Sequence, residues 1–121
     1  LRGAAPPYYS AEHVEHAASL LTRAGLAPRL MIDASHANSA KKPENQPQVV
    51  ADIAGQIEAG EERIVGVMVE SHLVADRQDL VKGRPLTYGQ SITDGCIGWD
   101  TSVEVLERLA AAVRKRRQRL Q

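Results

Sequence analysis

Two short stretches, MIDASHANS from Met31 to Ser39 and VGVMVESHL from Val65 to Leu73, pass abruptly from apolar residues to groups that bind metals or move protons. The first brings His36, with Asp33, Ser35 and Asn38 beside it; the second brings Glu70 and His72. A third polar stretch, SITDGCIGWD, carries Asp94 and Cys96. One imidazole and two carboxylates from separate segments form a mixed nitrogen and oxygen set. Such a set suits Mn, Fe, Zn or Co better than Ca or a structural zinc. His36, Glu70 and Asp94 are remote from one another in sequence, so spacing alone leaves a second reading open, that of hydrogen-bonded polar groups at strand ends.

Other side chains are weighed in the same way. The Arg2 guanidinium could grip a phosphate by a two-pronged contact or form a surface ion pair. His72 could be a further ligand or a hydrogen-bonding neighbour of one. Cys96 could supply a thiolate, or be a small residue in the tight Gly95-Cys96-Ile97-Gly98 turn. His13 and His16 fall on the surface of an expected helix and read as solvated.

The elements that must position these groups follow from periodicity. After Pro6 and Pro7, Ser10 is an N-cap for a helix with Val14, Ala17, Ala18 and Leu21 on one face, stopping at Gly25. The capping box is incomplete because His13 holds its fourth position. Leu30-Met31-Ile32 reads as a short strand buried on both faces, as in parallel sheets. A helix begins near Asn45, with Val49, Ile53 and Ile57 at spacing four, and Gly60 ends it. Ile64 to Val69 is the next strand, one βαβ unit on. From Val74 to Asp100 there is no clear period but many glycines, the pattern of a long functional loop. A last helix starts near Thr101, where Thr101 and Glu104 fit a capping box, with Leu106, Leu109, Ala110 and Val113 inward. In parallel α/β folds functional groups collect at the carboxyl ends of strands, where His36 and Glu70 stand.

Composition narrows the classes. The 15 basic and 15 acidic side chains cancel, so no global field argues for nucleic acid or an anionic membrane. The basic run Arg114 to Arg117 lacks interleaved aromatics and reads as a helix end and solvated surface. Apolar runs fall far short of a membrane span, and one cysteine excludes an internal disulfide and suits a reducing cytoplasm. Without Phe, the core must rest on Val, Ile, Leu, Ala and Met. Leu1-Arg2-Gly3 looks like the end of a strand whose beginning is missing.

Taken together, LRG followed by PYYS, MIDASHANS, IVGVMVESHLV, YGQSITDGCIGW and the closing helix resemble the C-terminal portion of type I DAHP synthases. The resemblance runs in order through essentially all 121 residues. It implies an α/β chain forming the C-terminal part of a (β/α)8 TIM barrel, from the end of strand 6 through helix 8, with residues 1–121 one segment of a single barrel domain. It also implies an enzyme that condenses phosphoenolpyruvate with erythrose 4-phosphate to DAHP and phosphate, at the head of the shikimate pathway. By motif match His36, Glu70 and Asp94 are the metal ligands, for Mn, Fe, Co or Zn. Arg2 and His36 bind substrate, and His36 and Asp94 take part in the chemistry. Asp33, Ser35 and Asn38 then position the ligands, hydrogen-bond to them or serve the structure. The expected parent is a cytoplasmic homo-oligomer that binds neither nucleic acid nor membrane. The family's fourth ligand, an N-terminal Cys, and its KPRTS stretch have no counterpart in these residues, and Cys96 matches a different family cysteine. The isolated chain is therefore expected to be marginally folded and inactive. The competing expectation is a small non-enzymatic βα module that binds a phosphate ligand or a partner chain.

Overall fold

A computed structural model describes residues 1–121. The chain runs through helix α1 (Ala11–Arg23), strand β1 (Leu30–Asp33), helix α2 (Gln46–Glu58), strand β2 (Ile64–Met68) and helix α3 (Trp99–Arg119). Two single 3-10 turns, His36–Ser39 and Pro43–Asn45, fill the connection from β1 to α2. The two strands pair in parallel, Leu30 opposite Ile64 and Asp33 opposite Met68, with one irregularity after Leu30. The result is a mixed α/β structure with a small parallel sheet and three helices.

Ser10 caps α1 as expected, its hydroxyl accepting from the His13 amide. His13 is less detached than expected: its Nδ1 lies 3.0 Å from the Ser10 hydroxyl, and its ring stacks on Tyr8. Val14, Ala17 and Ala18 are buried, and so are Val49, Val50, Ile53, Ala54 and Ile57 of α2. These two helical stripes close over Leu30, Ile32 and Ile64 of the strands to make one aliphatic core.

Three expectations need correction. The β1 strand is not buried throughout: Leu30 and Ile32 point to the helices, whereas Met31 on the other face is 58% exposed. Side chains alternate across a strand, and on this second face only Asp33, at the strand's end, is buried. The last helix starts at Trp99 with Gly98 as its cap, and no Thr101 side-chain cap forms. Just before this start the backbone is tied to the end of β2, the Ile97 amide donating to the Glu70 carbonyl at 3.0 Å. Val105 and Ala112 are the fully buried residues of α3, Leu109 and Val113 pack at the core's edge, and Leu106 is exposed. The inward face is thus rotated from the one the sequence pattern suggested. The basic end of α3 is surface, but it is tied down: Lys115 and Arg108 reach Glu58, and Arg116 donates to the Glu61 carbonyl at 2.7 Å.

The stretch between β2 and α3 has no helix or regular strand and is nonetheless folded on itself. Asp76 and Cys96 exchange backbone hydrogen bonds, the Gln78 amide donates to the Ser91 carbonyl, and the Val74 amide donates to the Gly89 carbonyl. These ties bring the Asp94 turn back to the end of β2. No helix is long and apolar enough to cross a membrane.

Candidate metal centre

The site is built on the ends of β1 and β2. β1 stops at Asp33, and Ala34, Ser35 and His36 turn away from the sheet. His36 has φ +50°, a left-handed conformation uncommon for a residue with a side chain. The turn holds that conformation by hydrogen bonds to the His36 carbonyl, from the Lys41 amide at 2.8 Å and the Ser39 hydroxyl at 3.2 Å. Backbone strain that the surroundings hold in place is common at functional sites.

Asp33 organises the imidazole. Its Oδ2 lies 2.8 Å from His36 Nδ1, and its Oδ1 accepts from the Ser35 amide at 2.8 Å and the Ser35 hydroxyl at 2.5 Å. Burial works to raise the Asp33 carboxyl, but the Ser35 bonds and His36 outweigh it and hold the group below its ordinary value. An ionised Asp33 is the acceptor for an Nδ1–H, and in that tautomer the Nε2 lone pair is free on the far side of the ring. Nε2 lies 3.4 Å from Glu70 Oε1.

Ligand atoms of His36, Glu70 and Asp94 all lie within 4.8 Å of one another. Glu70 reaches this point from just beyond β2, and Asp94 from the folded loop. Burial raises the Glu70 carboxyl above its ordinary value; His36 opposes this, while the Asp94 and Asp33 carboxylates add to it. Two carboxylates crowded against an imidazole lone pair lack a compensating positive charge at their centre. A divalent cation supplies one, so the donor set fits a borderline metal such as Mn, Fe, Co or Zn.

Around the three lies a polar cleft of about 380 Å³, lined also by Arg2, Lys41, Gln46, Arg77 and Thr93. A larger hollow of about 850 Å³ beside α2, lined by Ala51, Gly55 and Ala59, brings together no such donor set, so the smaller cleft is the candidate site. Arg2 comes to the cleft because its stub lies against β1. The Asp33 amide donates to the Leu1 carbonyl at 2.8 Å, and the Leu1 amino group bonds to the Met31 carbonyl. Buried Asn38 fastens the same stub, donating to the carbonyls of Asp33 at 2.7 Å and Leu1 at 3.3 Å and accepting from the Tyr8 amide at 2.7 Å. Gly3, at φ +77°, passes so close that an added Cβ would sit 2.3 Å from Asn38 Oδ1.

The structure therefore brings together His36, Glu70, Asp94 and Arg2. It leaves out His72, which is exposed and whose Nδ1 accepts from the Leu73 amide at 2.8 Å. Cys96 is half-buried with its Sγ 3.6 Å from the Asp94 carbonyl, and burial raises its thiol, so it is no ready thiolate ligand. Sequence reasoning missed Lys41, Gln46 and Arg77. The left-handed Lys41, at φ +59°, carries no glycine to mark its turn, and Arg77 lies in a stretch without periodicity.

A strand-end cleft with a His, Glu and Asp donor set and cationic walls marks an α/β protein whose side chains could hold a metal beside an anionic ligand. The DAHP synthetase I family model matches residues 1–107, and the chain belongs to that family. It is 53% identical over 117 residues to the Phe-sensitive phospho-2-dehydro-3-deoxyheptonate aldolase of Escherichia coli strain K12, covering 97% of this chain and 33% of that protein. The tyrosine-inhibited phospho-2-dehydro-3-deoxyheptonate aldolase of Schizosaccharomyces pombe is 50% identical over 117 residues, covering 93% of this chain and 31% of the relative. The solved phospho-2-dehydro-3-deoxyheptonate aldolase of Francisella tularensis SCHU S4 superposes with a TM-score of 0.89 at 46% identity, over 94% of this chain and 33% of that one. The chain thus spans about a third of the length of these relatives.

Proposed function

We propose that residues 1–121 form the C-terminal segment of a (β/α)8 barrel, from the end of its sixth strand through its eighth helix, in a DAHP synthase. The reaction is condensation of phosphoenolpyruvate with erythrose 4-phosphate to DAHP and phosphate, the entry step to aromatic amino acids. The observation that carries this reading is the convergence of His36, Glu70 and Asp94 within 4.8 Å in a cleft that Arg2 also lines. His36 Nε2 and the two carboxylates would hold a divalent cation, which when bound supplies Lewis-acid polarisation of the sugar aldehyde.

The chain's own residues do the rest. Arg2 takes the phosphate of phosphoenolpyruvate by a two-pronged contact, and Lys41 and Arg77 add positive charge at the same walls. His36, its Nδ1–H donating to Asp33, presents its Nε2 edge to the substrate side of the cleft. Asp94, the exposed one of the three ligands, is placed to take a proton or to orient water attacking the phosphate-bearing carbon of phosphoenolpyruvate. The parent enzyme is a cytoplasmic homo-oligomer that needs neither nucleic acid nor membrane.

The open sheet supports the further reading that the chain alone is inactive. Met31 and Val65 are 58% and 62% exposed on strands whose outer edges have few partners. A barrel needs all its strands to close those edges. The test is turnover by the chain alone and by a completed protein, in which this sequence is fused behind the N-terminal two thirds of the Escherichia coli relative. Mn-dependent consumption of both substrates by the completed protein, with none by the chain alone, is the expected pair of results. Turnover by the chain alone would refute its inactivity, and no turnover by a folded completed protein would refute the assignment.

A further inference from the structure

Gln46, the first residue of α2, is a buried polar side chain at the back of the cleft. Burying a carboxamide is unfavourable unless its hydrogen bonds are replaced. Here both ends are satisfied by the main chain of one residue: Gln46 Oε1 accepts from the Glu70 amide at 2.9 Å, and Gln46 Nε2 donates to the Glu70 carbonyl at 3.0 Å. The side chain thus pairs with the backbone of Glu70 as a neighbouring strand would, two residues beyond Met68, where the regular pairing of β2 ends. From another side the Ile97 amide donates to the same Glu70 carbonyl at 3.0 Å. Glu70 is therefore gripped through its main chain while its carboxylate faces His36 and Asp94.

We infer that Gln46 is a positioning residue for the metal centre, holding the Glu70 main chain so that its carboxylate meets His36 Nε2 and Asp94. The inference rests on the metal-binding reading above and extends it to a residue that contributes no ligand atom. Reach explains the residue type. A Gln spans from the start of α2 to the Glu70 peptide with donor and acceptor together, Asn is one methylene short, and an apolar side chain of similar size fills the space without gripping the peptide. Groups that hold metal ligands in place typically govern metal affinity by about 10- to 100-fold.

The test uses the completed protein and measures Mn²⁺ affinity by calorimetric titration, beside the metal-free melting temperature and amide hydrogen exchange. Gln46→Met and Gln46→Asn are expected to weaken Mn²⁺ binding by about tenfold or more while the metal-free protein still melts cooperatively. In the unaltered protein the Glu70 amide is expected to exchange slowly, a reading that requires no variant. Wild-type Mn²⁺ affinity in both variants, with only a lowered melting temperature, would make Gln46 merely structural and overturn the inference; so would a fast-exchanging Glu70 amide. His36→Ala separates the two levels. If it abolishes Mn²⁺ uptake while the Gln46 variants bind normally, this inference alone falls. If the unaltered protein takes up no Mn²⁺, the metal-binding reading falls and takes this one with it.

Discussion

His36 Nδ1 and Asp33 Oδ2 lie 2.8 Å apart, and this contact decides which edge of the imidazole faces the cleft. Asp33→Asn keeps the shape but replaces one carboxylate oxygen with a donor. Either the Ser35 amide and hydroxyl or His36 Nδ1 then loses its acceptor. The completed protein carrying Asp33→Asn should bind Mn²⁺ about 10- to 100-fold more weakly, with little change in fold. Calorimetric titration with a circular dichroism control checks it, and unaltered affinity would mean that the His36 orientation is set elsewhere.

Gly3 and Asn38 fit each other closely enough to make a sharp prediction. Gly3→Ala places a methyl group 2.3 Å from Asn38 Oδ1 on a backbone at φ +77°. The strain should cost at least about 1 kcal/mol in a denaturant titration of the completed protein. Because Arg2 is adjacent, KM for phosphoenolpyruvate should rise more than kcat falls. A variant with unchanged KM would separate the stub from phosphate binding.

Arg77 holds the other carboxylate arm. Its Nε donates to the Thr93 carbonyl at 2.7 Å, one residue before Asp94, and its Nη2 to Asp79 at 2.9 Å. Lysine cannot make both contacts in that geometry. Arg77→Lys should lower Mn²⁺ affinity by about tenfold, and Asp79→Asn by less, since it leaves the bond to Thr93 in place. Equal effects from the two would show that the Asp79 contact matters as much as the grip on Thr93.

Stability should carry an acid-sensitive contribution from Glu61. The carboxylate accepts from the Arg63 amide and guanidinium at 2.8 Å, and those bonds, against some burial, hold Glu61 below its ordinary value of 4.5. A carboxyl depressed in the folded state stabilises fully above its unfolded value and loses that contribution as pH falls through its folded value. The stability gap between the completed protein and its Glu61→Gln form should therefore be constant near neutrality and shrink below pH 4.5. A gap that does not change with pH would assign it to packing.

Much of this fold is legible because aliphatic spacing reports burial directly. Val14, Ala17 and Ala18 on α1, and Val49, Ile53 and Ile57 on α2, are buried as their period implies. The end of β1 is legible too, since apolar residues turn polar where the strand leaves the sheet. Other features depend on long-range contacts that spacing does not encode. Met31 looks like core but is bare, because what covers the second face of a strand lies outside its own sequence. Leu106 was expected inward and is exposed, because the face that α3 turns toward α2 is the one carrying Val105 and Ala112. Gln46 is invisible to sequence reading for a related reason. Its partner is a peptide 24 residues away, and a buried glutamine has the same letter as a solvated one.

The central claim is that His36, Glu70 and Asp94 share one metal ion and that turnover depends on it. The most direct measurement is the Mn²⁺ dependence of condensation by the completed protein and its His36→Ala, Glu70→Ala and Asp94→Ala forms, with Mn²⁺ binding measured on the same samples. Turnover that chelation abolishes and Mn²⁺ restores in the unaltered protein, together with loss of turnover and at least tenfold weaker Mn²⁺ binding in each folded variant, is what this account predicts. Near-normal Mn²⁺ affinity and turnover in any one of them would contradict a shared site.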